Sequence, residues 1–150
     1  MALSLTTVAD SISKISVSGL TIKDLDETLD NVTSRDTPVM MPAPEFISDI
    51  NAEVMAMGTG AVKKLDVYYT LNYRFFFQEV GANRKLSDVY DAMIAQLSLL
   101  IDALLLNDVV TGAIDLQIAS ISGNGITVDP VGEAFFGFDI GLRIMEFQDG

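Results

Sequence analysis

The chain has 150 residues, about half of them apolar, with 21 acidic against nine basic side chains and a formal net charge of −12. That length suits one domain, 1–150, with its own core. Cysteine and histidine are both absent, which excludes disulfides, thiolate nucleophiles, zinc sites and any triad that needs an imidazole. The acidic balance argues against a nucleic-acid binder, which needs cations to neutralise phosphate.

The first stretch, "MALSLTTVADSIS", lacks the basic region and apolar length of a secretory signal. Leu5, Val8, Ile12 and Ile15 recur three or four apart, which predicts a narrow amphipathic helix over about 3–16. Gly19 ends it, and "LTIKD" reads as a short extended piece. Asp24, Asp26, Thr28 and Asp30 then take the alternating positions of a calcium loop. Leu29 stands where the turn glycine belongs and Arg35 where a bidentate Glu is required. A solvated turn or short helix is the reading, and neither metal nor cofactor is expected.

"PVMMPAPEF" is confined by its prolines to an edge strand or extended segment. A long loop or arm is expected at about 42–61. Met55 and Met57 suit a partner-binding arm, and an ordered hairpin packed on its own domain is the equal alternative. From Leu65 to Gln78 the odd positions are apolar, including Tyr69, Tyr73, Phe75 and Phe77, and the even ones mostly polar. This alternation predicts a long strand with one core face. Tyr68 and Phe76 break the polar face and become candidates for burial against a neighbouring chain or under the long loop.

A helix follows, with Ser87 as N-cap and a wide stripe of Val89, Tyr90, Met93, Ile94, Leu97, Leu100, Ile101, Leu104 and Leu105. Leu99 and Leu106 fall off the stripe and hint at a second contact surface. The apolar run Met93–Leu106 is broken by Gln96, Ser98 and Asp102, short of the roughly twenty residues that span a bilayer. A soluble, cytosolic chain with no membrane contact is expected. Two further strands close the chain, separated by "SGNG" turn chemistry. Gly132, Gly137 and Gly141 suggest bulges, twist or close approach of another chain. The expected fold is α+β, a mixed or antiparallel sheet with two helices packed on one face. Exposed edges in an acidic chain can be managed by joining neighbours in a ring.

The runs "YYTLNYRFFFQEVG", "RKLSDVYDAMIAQLSLLIDALLLND" and "GAIDLQIASISGNGITVDPVGEAFFGFDIGLRIMEF", with "TPVMMPAPEFI" before them, resemble tail terminator (tail completion or neck) proteins of long-tailed bacteriophages. The likeness covers about Asp36 to Phe147 and rests on hydrophobic cadence, without a catalytic signature. It implies a structural virion protein that forms a hexameric ring on the tail tube and stops its polymerisation. The implied partners are further copies of the chain, the major tail tube protein and the head completion or connector protein, with DNA passing through the lumen without specific binding. The implied location is the tail or neck of the virion, after assembly in the host cytoplasm.

Three other readings stay open at this level. One is a tail-tube or head–tail connector subunit. Another is a carboxylate enzyme built on Asp66 and Arg74, against which the missing histidines and cysteines weigh, so no catalytic residue is expected. The last is a small acidic binding module that holds a ligand with Tyr68 and Phe76. For assembly, the candidate interface residues are Met55, Met57, Tyr68, Phe76, Leu99 and Leu106.

Overall fold

The computed structural model describes residues 3–33, 35–57, 63–81, 85–107, 113 and 115–149, with backbone alone at 53–57, 63–65 and 148–149. Helix α1 is Leu5–Ser13; strand β1 is Thr21–Ile22; a single 3₁₀ turn covers Leu25–Glu27. Strands β2 (Val39–Met57) and β3 (Lys63–Glu79) precede helix α2 (Leu86–Leu106). Strands β4 (Asp115–Ser122), β5 (Ile126–Val128) and β6 (Ala134–Asp149) follow. The sheet order is β1-β2-β3-β6-β4, with β5 also on β6. Only the β1–β2 pair is parallel, so the fold is α+β with a mixed sheet and two helices.

β3 is the centre of the sheet. It pairs with β2 on one side and with β6 on the other, the latter from Lys64↔Asp149 to Glu79↔Phe135. Its odd residues Tyr69, Leu71, Tyr73 and Phe75 are buried in the main core, as alternation predicts. Val8 and Ile12 of α1 belong to the same cluster, as do Met93, Leu97, Leu100 and Leu104 of α2. The buried stripe on α2 is narrower than the sequence implies, because Tyr90 and Leu105 are exposed. By length and composition α2 is long and apolar enough to cross a membrane, more so than its polar interruptions indicate. Its inward stripe is seated in the core instead.

Several expectations are corrected. The stretch expected as a long loop or arm at about 42–61 runs as strand up to Met57 and pairs with β3, in line with the hairpin alternative. Three register shifts in β2, after Pro42, Ser48 and Val54, absorb its prolines and extra residues as bulges. The helix at 86 starts one residue before Ser87. Lys85 holds the cap position and its N–H donates to Asp88 Oδ2 at 3.1 Å, so Ser87 lies inside the first turn. Three strands, rather than two, close the chain, because "SGNG" ends β4 and starts the short β5.

The close approach expected at the late glycines comes from the chain itself. A Cβ built on Gly137 would lie 1.8 Å from the carbonyl oxygen of Phe75. That is where β3 and β6 slip register, between Phe76 and Gln78. Gly132 differs: its φ is 91° and nothing lies within 4 Å. Gly137→Ala is therefore expected to destabilise by at least about 2 kcal/mol, because the β3 backbone must move. Gly132→Ala should lose only about 1 kcal/mol, from its left-handed backbone alone. Urea unfolding of the two variants checks the order, and equal losses would contradict it.

Candidate functional site, an assembly surface

The even positions of β3 form the second face of the sheet, and its middle is polar. Arg143 donates through Nη1 to Asp49 O at 3.1 Å and Thr70 Oγ1 at 3.3 Å, with its guanidinium 5.5 Å from the Tyr68 ring centroid. Arg74 donates to Val128 O at 2.9 Å and lies 3.7 Å from Asp139. Asn72 Nδ2 donates to Glu45 O and Ser48 Oγ, both at 3.0 Å. A groove of about 440 Å³ opens here, floored by Gly141 and edged by Ser48, Ser120 and Ser122. Both arginines thus spend donors on their own chain, which lowers their value as phosphate contacts.

Asp66 and Arg74 lie on this face but do not meet. They are eight residues apart on one strand, roughly 27 Å at the usual rise. The sequence-level idea of a joint carboxylate centre has no geometry behind it. Nor do Asp24, Asp26, Thr28 and Asp30 wrap an ion. Asp24 instead caps the 3₁₀ turn, taking the Leu25 N–H at 2.7 Å while Glu27 takes the Asp24 N–H at 3.1 Å. Among the described residues, no group of three or more acidic side chains is placed to hold a metal ion.

The two aromatics that break the pattern separate. Phe76 is fully buried within its own chain, in a small cluster with Val32, Val39, Met41 and Phe135, and its ring meets Phe135 edge-on at 5.4 Å. It is therefore no interface residue. The cover comes from the segment around Leu29 and Val32, tied down by Asp129, whose Oδ2 accepts the Val32 N–H at 3.1 Å. Tyr68 is half-buried beside Arg143, so the two cannot grip one ligand. The side chains of Met55 and Met57 lie outside the described residues; their backbone is in β2.

Leu99 and Leu106 are exposed, at 46% and 84%, and Leu105 joins them at 65%. The sequence reading missed Ile50, 57% exposed at the outer edge of β2, and Ile126 and Val128 of β5, both exposed. The signal was available in "ITV", whose alternation marks a strand, but its position at a sheet edge was not. β4 and β5 lie end to end along β6, and no described residue pairs with their other side. From Leu116 to Val128 this edge has no charged residue. Edges left open usually carry charge, proline or bulges against unwanted pairing. β2 has three bulges, and β4 has one, between Ile118 and Ser120. No family model matches the chain, and a search of curated proteins returns no match.

One buried polar link holds the scaffold behind these surfaces. Glu146 is buried and accepts the Ser4 N–H at 2.8 Å through Oε1, and the Tyr69 hydroxyl through Oε2. Burial, and then the Glu146 contact, push the Tyr69 phenol above the ordinary tyrosine range. Burial also raises Tyr73, with the Asp24 charge adding to it. Both phenols stay neutral in the folded state where the unfolded chain ionises. Their contribution is therefore intact below pH about 10 and lost as pH rises above it. Stability is expected to fall there by about 1.4 kcal/mol per pH unit for each tyrosine. Tyr69→Phe should remove its share of that slope and cost about 1–3 kcal/mol at neutral pH, since Glu146 loses a donor. Chemical denaturation between pH 7 and 11 reads both effects, and an unchanged slope would refute the assignment.

Proposed function

We propose that the protein is a structural virion subunit of a long-tailed bacteriophage, a tail terminator that closes the tail tube as a ring. The observation that carries this reading is the open β4–β5 edge, free of charge from Leu116 to Val128, on a chain of net charge −12. An acidic surface keeps copies apart, so a long edge without charge marks where copies meet. The sequence resemblance over about 36–147 points the same way, as do the exposed leucines of α2. The two helices, packed on one face of the sheet, leave the polar face of β3 as the other surface of the subunit. Arginines already engaged by the chain, and the acidic balance, suit a lumen through which DNA passes without binding.

In this role the protein is no enzyme and needs no cofactor. It is a hexamer that stops growth of the tube protein and receives the head completion protein. It belongs to the tail or neck of the virion and to the host cytoplasm during assembly. A tail-tube or connector subunit is the second reading, because the same open edge serves a stacking ring. Native mass spectrometry and negative-stain microscopy separate the two. The terminator is expected as closed single rings, six chains of 16.2 kDa or about 97 kDa. Filaments at high protein concentration would favour a tube subunit. A chain that stays monomeric at hundreds of micromolar would defeat both readings.

A further inference from the structure

At the β4 edge a hollow of about 340 Å³ lies between strand and helix, with Leu104, Leu105, Leu116 and Ile118 as its apolar lining and Asp115 and Gln117 as its polar one. At the opposite edge, Ile50 projects from a bulge of β2. There Asp49 has a φ of 54°, unusual for a residue with a side chain, and its carbonyl is held by Arg143. Hollow and projection lie at one level of the sheet. The row Asn51↔Tyr68↔Met145↔Asp115 crosses all four strands, with Ile50 beside one end and the hollow at the other.

We infer that Ile50 of one copy seats in the Leu104, Leu105, Leu116 and Ile118 hollow of the next copy, and that this contact is the seam of the ring. It rests on the ring reading above and specifies which surfaces meet. The contact is head to tail, since the two surfaces sit on opposite edges of one subunit. Repetition therefore gives a ring if the rotation closes. Strand direction agrees: β2 and β4 run antiparallel within a subunit, so the neighbour's β2 would lie antiparallel to β4. The charge pattern selects the same pairing. The β2 edge carries Glu45 and Asp49, which repel a second β2 edge, whereas the β4–β5 edge carries a single carboxylate, Asp115, which already accepts from Gln117 Nε2 at 2.8 Å. An isoleucine moving from water onto Leu104, Leu105, Leu116 and Ile118 supplies the attraction.

Ile50→Asp and Leu105→Asp both change exposed side chains, so each variant should keep the circular dichroism spectrum of the parent and a cooperative melt, lowered only by loss of the ring. Each alone is expected to lose the ring entirely and run as a single chain of 16.2 kDa in sedimentation. Mixed in equal amounts, they should form a dimer and nothing larger, because only one intact projection meets one intact hollow. Rings that persist in Ile50→Asp would overturn the seam and leave the ring reading standing. Self-dimers of Ile50→Asp would show β4 pairing with β4, and a mixture that stays monomeric would also overturn the seam. A wild-type chain monomeric at hundreds of micromolar would remove the ring reading, and the seam with it.

Discussion

The structure depends on β3 being hydrogen-bonded along both sides. Its partners, β2 and β6, come from opposite directions in the sequence, so β3 fixes the register of everything else. Its core-facing tyrosines and phenylalanines set where α1 and α2 must lie. Because side chains alternate, a slip of one residue would exchange the apolar and polar faces. The single slip that does occur, beyond Phe76, is accommodated by Gly137, where there is no side chain to obstruct it.

The strand at 65–78 and the two helices were legible because their periods are long and regular. The main core was legible for the same reason. Phe76 was not, since its burial depends on Val32 and Phe135, which are remote in sequence and are brought to it by the Asp129 tie and by β6 pairing. The segment carrying Leu29 and Val32 reads as a polar turn, and two apolar residues do not announce a lid. β2 was hidden by its own bulges, which destroy the alternation that identifies a strand. Leu99 and Leu106 were found as exposed because they depart from the helical stripe. Ile50 was not, because exposure at a sheet edge is a property of topology, and topology has no local code.

The polar interior is sparse, and two of the three buried carboxylates among the described residues, Glu146 and Asp129, have a recognisable task. Glu146 joins the start of α1 to β3 through Ser4 and Tyr69. Asp129 gathers the Val32, Val131 and Glu133 N–H groups and so closes the lid over Phe76. These are charge-assisted contacts to backbone donors, stronger than neutral ones. They explain why acidic residues can be buried in a chain with few cations to pair them.

The position of β6 also bears on the order of synthesis. Strand β6 is made after every element it joins, yet it lies between β3 and β4. Until it leaves the ribosome, β4 has no partner in the sheet and α1 lacks its Glu146 anchor. A chain without β6 can form the β2–β3 hairpin and α2, but its β4 and β5 have no strand to pair with. Pairing of β6 is thus the event that gives β4 and β5 their place and completes the sheet edge they form.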